Sequence, residues 1–251
     1  MRKSCLAQGL TSLLPFVSVA FAEPYPSLDL KPTGVSLEWY QHELDLKVTG
    51  LDVSLPGVSS GLVDSVKDQL DTQSDAEIIN LRLDRQLSPN LNIFAAIGKV
   101  TDTTRVGFSS LAQGVSDLVV ANKGVAYSAG ATLTGEYGKL LPALHYTHSR
   151  IDFDDSAEEV VVNVLTPSVG IQTHAGVLSG SLVYQAVEAT YSGTIDAPFV
   201  GNVPVSVNTK NKDTLQVLAG IDTRLANDLY LSAKAGLNGQ KQFQLQLNRR
   251  F

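Results

Sequence analysis

The sequence predicts an all-β fold: a transmembrane antiparallel up-and-down β-barrel of about ten strands. Three observations carry this. Apolar and polar residues alternate with period two in segments of about ten residues, which places one set of side chains on each face of a strand. The connections alternate between short turns and longer loops, as in membrane barrels. After the first 22 residues, no apolar run approaches the ~20 residues a helix needs to cross a bilayer.

Residues 1–22 read as a cleaved signal peptide. Arg2 and Lys3 form the positive start, an apolar stretch runs from Leu10 to Val19, and Ala20-Phe21-Ala22 supplies the cleavage pattern before Glu23. The only cysteine, Cys5, precedes the apolar stretch, so the remaining chain has neither disulfide nor thiolate chemistry. Residues 23–33 are expected as a periplasmic N-terminal segment, and 34–251 as the barrel.

The first strand is expected at 34–48. Val35, Leu37 and Trp39 alternate with Ser36, Glu38 and Tyr40, and the apolar parity then switches to Leu44, Leu46 and Val48. A bulge near His42, or emergence from the membrane, explains such a switch. In 77–87, Ile79, Leu81, Leu83 and Leu87 oppose Asn80, Arg82, Asp84 and Gln86, and Ser88-Pro89-Asn90 turns the chain into 91–101. Strands follow at 124–137, 143–153, 159–173, 177–191, 213–225, 229–237 and 240–251. Residues 49–76, 102–123 and 192–212 are expected as long outer loops, with short periplasmic turns between them. Leu62, Val66 and Leu70 mark one stripe of a short helix over 60–72, either a lid or partial plug or a loop helix packed against neighbouring loops, and 103–123 is a second candidate for covering the mouth.

The ending Leu245-Gln246-Leu247-Asn248-Arg249-Arg250-Phe251 resembles the assembly signal of bacterial outer-membrane β-barrels, an amphipathic last strand with a terminal Phe. The hairpin from Leu83 to Phe94 resembles those of small porin-like members of that group. The resemblance implies a bacterial outer-membrane location, with Phe251 read by the assembly machinery and with membrane lipids and lipopolysaccharide as surroundings. A soluble β-sandwich or lipocalin-like barrel also alternates, but its inward face is apolar and bulky, whereas here the polar face is rich in Gly, Ala, Ser, Thr, Gln and charges.

The formal net charge is −6, and the leader holds two of the basic residues and none of the acidic ones, so the rest of the chain is more acidic still. That balance argues against nucleic-acid binding. The expected inward face carries Glu38, Arg82, Asp84, Glu136, Asp222, Arg224, Lys234 and Arg250. These lumen-lining residues form either a charged constriction for solutes or an ion-pair network that fills a narrow barrel. Lipid A deacylases carry a His-x-Ser pair on one strand; here His145 and Thr147 have that spacing with Thr in place of Ser, while His148 and Ser149 are adjacent and face opposite ways. Omptin proteases, also ten-stranded, need rim acids and histidines; His42, Glu43 and Asp45, or His148 with Asp152, Asp154 and Asp155, are available, without the family's paired-acid pattern. Asp152, Asp154, Asp155, Glu158 and Glu159 form an acidic loop that lacks EF-hand spacing. No cofactor, metal site or catalytic set is predicted. A passive channel for small solutes, a structural or surface-interaction barrel, and an outer-membrane lipase or protease are the classes to compare.

Overall fold

The computed structural model describes residues 31–53, 69–108, 115–154, 159–185, 188–197, 201–237 and 241–251. The expected signal peptide, Leu62 and Val66 of the expected helix, and Asp155 and Glu158 of the acidic loop lie outside these residues. Twelve strands are present among the described residues: β1 (Thr33–Val53), β2 (Asp71–Ser88), β3 (Leu91–Gly107), β4 (Leu118–Thr134), β5 (Leu140–Phe153), β6 (Glu159–Thr173), β7 (Gly176–Tyr184), β8 (Glu188–Ala197), β9 (Gly201–Asn211), β10 (Leu215–Ala226), β11 (Leu229–Gly236) and β12 (Gln242–Arg250).

Ten of them close a barrel. Strands β1 to β7 pair in sequence, β7 pairs with β10, β10 to β12 continue the wall, and β12 returns to β1 over Gly34–His42, all antiparallel. Closure removes the free sheet edges that a bilayer does not tolerate. The chain end sits at this seam, where the Phe251 N–H donates to the Thr33 carbonyl at 2.8 Å.

The outer surface supports a membrane setting. Leu37, Leu81, Leu83, Ile93, Ile97, Leu133, Leu165, Val169, Leu178, Leu182 and Leu247 all point outward and are exposed. Trp39, Tyr127, Tyr146, Tyr184 and Phe243 sit near one border of this belt, and Tyr137 and Phe251 near the other. Such a belt with aromatic borders is the exterior of a transmembrane barrel. The inward face over the same span is mostly polar, with Phe94, Leu141, Val164, Val177, Val183 and Leu218 as its apolar members.

Above the aromatic border this wall turns inside out. On β1 the even residues face inward from Gly34 to Val48 without interruption, and the pairing with β2 keeps one register through His42. There is no bulge at His42. The inward residues change from Ser36, Glu38 and His42 to Leu44, Leu46 and Val48, while the outward ones change from Leu37 and Trp39 to Glu43, Asp45 and Lys47. The parity switch in the sequence is therefore emergence from the bilayer: the strand continues, and the solvent on its outer face changes from lipid to water.

The expected outer loops are partly strand. β1 runs on to Val53, β2 begins at Asp71, β3 reaches Gly107 and β4 starts at Leu118. The expected strand 177–191 ends at Tyr184, and the expected loop 192–212 is instead the β8–β9 hairpin. This hairpin leaves the wall between β7 and β10, passes above β11 and β12, and pairs β9 with the upper half of β1, Leu46 to Val53. At its far edge β8 meets β4: the Ser116 N–H donates to the Asp196 carbonyl at 3.0 Å, and the Asp196 N–H to Ser116 Oγ at 2.8 Å. Leu44, Leu46, Val48, Leu70, Val106, Phe108, Leu118, Tyr191, Ile195, Val203, Val205 and Val207 fill the space beneath as an apolar core. The molecule is thus a ten-stranded barrel with a polar interior, capped on one side by a dry extension of β1–β4 closed by β8–β9.

Candidate functional site

The end of the interior where β1 begins and β12 ends is built around Asp84 on β2. Arg250 Nη1 on β12 lies 2.7 Å from its Oδ2, Asn248 Nδ2 donates to Oδ1 at 3.0 Å, and Asn92 Nδ2 donates to Oδ2 at 3.1 Å. Arg250 also donates through Nε to the Lys31 carbonyl at 2.8 Å. Gly34 makes the arrangement possible: a Cβ there would collide with Asp84 Oδ1 and the Arg250 guanidinium.

One level up, Arg82 and Glu38 approach at 3.5 Å, and Gln246 and Asn80 each donate to Glu38, at 3.3 and 3.4 Å. The Arg82 guanidinium lies 3.7 Å from the Phe94 ring centroid, and Phe94 stacks on His145 at 5.4 Å. His145 Nδ1 contacts Thr132 Oγ1 at 2.6 Å. A strip of cation, aromatic ring and imidazole therefore crosses from β2 to β5. On the facing wall, Asp222 (β10) and Lys234 (β11) are diagonal neighbours, since Asp222 pairs with Ser232 and Gly220 with Lys234. Asp222 is buried, with the Ser232 hydroxyl directly opposite it and the Lys234 ammonium beside it.

Six of the eight expected interior charges are thus inside the barrel: Glu38, Arg82, Asp84, Asp222, Lys234 and Arg250. Glu136 is not among them, because β4 ends at Thr134 and Glu136 is exposed in the turn that carries Gly138 at φ 66°. Arg224 has inward parity but lies at the end of β10, exposed, with its guanidinium 5.9 Å from the Tyr230 ring centroid and Nε donating to the Ala226 carbonyl at 3.3 Å. The buried charges are at most 3 % exposed, so no open water column runs beside them in this state.

The β5 histidines are divided between faces. His145 and Thr147 point inward and are buried, whereas His148 is exposed on the outer face, 2.9 Å from Asn163 Oδ1. Ser149, inward, shares a hydrogen bond with Ser128 at 2.7 Å. His42 is inward, with the Gln216 amide 2.6 Å from its Nε2, while Glu43 faces out toward Lys241 at 2.8 Å. Among the described residues no group of His, Cys, Asp and Glu is arranged to hold a metal ion.

One group escaped sequence reading. Asp102 sits at the base of the apolar cap, 2 % exposed. It accepts from Ser74 Oγ at 2.6 Å and from Thr104 Oγ1 at 3.2 Å. No lysine or arginine pairs with it among the described residues, and burial pushes its carboxyl up to about 7. Tyr191, brought in by β8, lies close enough that burial first, and the Asp102 charge second, push its phenol up. Asp102 fell within an expected loop, so its inward parity went unread.

No family model matches the chain, and no curated protein matches it. Solved structures of similar architecture include the outer membrane protein OprG from Pseudomonas aeruginosa, with a TM-score of 0.40 and 9% identity over 86% of this chain and 96% of that one. The translocator domain of the autotransporter NalP from Neisseria meningitidis has a TM-score of 0.39 and 10% identity over 88% of each chain. The transport unit of the autotransporter AIDA-I from Escherichia coli has 0.38 and 13%, over 88% of this chain and 90% of that one.

Proposed function

We propose that the chain is a narrow channel for small polar solutes in a bacterial outer membrane, seen here closed. The observation that supports this is the one-sided polarity of the wall. Hydrogen-bonding side chains and charges of both signs line most of the interior within the apolar belt, and several of their polar atoms, including Gln244 Oε1 and Gln246 Oε1, have no partner among the described residues. A barrel that only had to be filled would satisfy such groups or replace them with apolar ones, because an unpaired buried polar atom costs ~1–3 kcal/mol. An interior that takes up water and passes polar solutes has reason to keep them.

Two features hold the channel shut. The Asp84–Arg250 and Glu38–Arg82 pairs cross the interior on the periplasmic side, and the apolar cap covers part of the outer mouth. Conduction requires the cap to move and the pairs to exchange partners with water or solute. Planar-bilayer recording tests the reading. The full chain is expected to conduct rarely, and a variant with residues 188–211 replaced by a short turn to conduct more often. A folded, inserted variant that never conducts would eliminate the channel.

The sealed state also favours a second reading, a structural barrel whose outer surface contacts lipopolysaccharide or external partners. A silent bilayer record from both proteins would move the assignment there.

A further inference from the structure

We propose that the β8–β9 hairpin is a lid whose closure over the barrel mouth is set by the protonation of Asp102 beneath it. The lid has a strong edge and a weak one. β9 is laddered to β1 from Leu46 to Val53, whereas among the described residues no ladder joins β8 to β4, and that edge carries the Ser116–Asp196 pair of hydrogen bonds and the packing of Leu118 over Gly193. Lifting β8 away from β4 while β9 stays on β1 opens the apolar core on the side where Asp102 lies.

The chemistry beneath that edge gives the direction. With the lid closed, the Asp102 carboxyl has Ser74 and Thr104 hydroxyls and the Tyr191 ring around it, within an apolar core. The two donated hydrogen bonds favour the carboxylate, but burial in the apolar core outweighs them, and the site as a whole favours the neutral acid. With β8 lifted, water reaches the carboxyl and ionisation becomes inexpensive. The closed state therefore binds the proton more tightly than the open one. Closure is fully favoured below the open-state value, near that of a free carboxyl. It weakens up to tenfold per pH unit as pH rises toward the closed-state value, and levels off above it.

The neighbouring elements supply few competing charges. β8 contributes Tyr191, β4 places Asn122 directly opposite Asp102, and β9 turns Val203, Val205, Val207 and Thr209 inward. β2 contributes Asp75 through the wall, which raises the Asp102 carboxyl further. β1 places His42 on the same inward rung, with Ala76 between the two, about two strand spacings or ~10 Å away. A protonated His42 would favour ionised Asp102 and so oppose closure in acid; it cannot be the source of acid closure.

Electron-spin distance measurement tests this without reading conductance, so the outcome stands apart from the channel assignment. In a Cys5→Ser background, nitroxides are placed at Thr194 on β8 and Val119 on β4, both exposed. A single short-distance population is expected at about pH 5, and a longer one at least tenfold more abundant at about pH 8. Asp102→Asn, which mimics the protonated acid, is expected to keep the short distance at both, and His42→Gln to retain the response. Superimposable distributions in the parent would overturn the proposal, as would a response that survives Asp102→Asn or disappears with His42→Gln.

Discussion

Asp84 shows how one residue organises the interior. It is inaccessible, and it is held by a guanidinium and two amides that come from β3 and β12. A buried ion pair is weak evidence of net stability, since desolvation offsets most of the attraction, but removing one partner strands the other. Asp84→Ala is therefore expected to lower the unfolding free energy by ~3–5 kcal/mol, read by urea titration of the detergent-folded barrel. Asp84→Ala combined with Arg250→Ala should cost less than the two single changes added together, because the stranded charge is gone. Strict additivity would mean that the pair is not coupled. Gly34→Ala tests the same site by shape alone. The new methyl group must displace the Asp84 carboxylate or the Arg250 guanidinium, at a cost of ~1–3 kcal/mol in the same titration; an unchanged midpoint would show that the pair has room to move.

At the scale of the strand, the informative feature is what faces outward above and below the aromatic border. On β2, Ile79, Leu81 and Leu83 lie in the belt, and Asp71, Gln73, Asp75 and Glu77 lie above it. Leu81→Lys is expected to cost ~2–4 kcal/mol in bilayer-folded protein, and Asp75→Lys almost nothing, since Asp75 is already at a watered surface. Equal effects would remove the border from its place between Glu77 and Ile79. Period-two alternation was legible here from Ile79 to Leu87 because lipid and lumen demand opposite chemistry on the two faces. It was harder to read in β1, where the demand reverses midway. The β8–β9 hairpin was missed although Val203, Val205 and Val207 alternate with Pro204, Ser206 and Asn208. Pro204 cannot donate to a ladder, and a polar stretch of this length between strands reads equally well as an outer loop. Glu136 has inward parity in the sequence, but it lies two residues past the end of β4, where a turn releases the chain from the pleat. Only the register between strands could bring together Asp84 with Arg250, or Phe94 with His145.

The molecule as a whole has two interiors and two exteriors, and they exchange character at one level. A polar lumen lies within an apolar belt, and an apolar core lies within a charged cap. This pattern fixes the molecule's depth in a membrane, because the plane where the outer face stops being apolar must coincide with the lipid–water interface. Trp39 lies at that plane. It is the only tryptophan in the chain, its ring packs at 5.5 Å from that of Phe243, and its Nε1–H donates at 2.8 Å to Glu77, the first charged residue above the belt on β2. An indole that buries its ring in the belt while its N–H reaches an aqueous carboxylate belongs at the headgroup level. In vesicles, its fluorescence is therefore expected to be quenched more by lipids brominated near the glycerol backbone than by lipids brominated near the chain ends. Stronger quenching from the chain ends would place the border too far out. Insensitivity to both would take the belt out of the bilayer, and with it the reading of the whole fold as a membrane barrel.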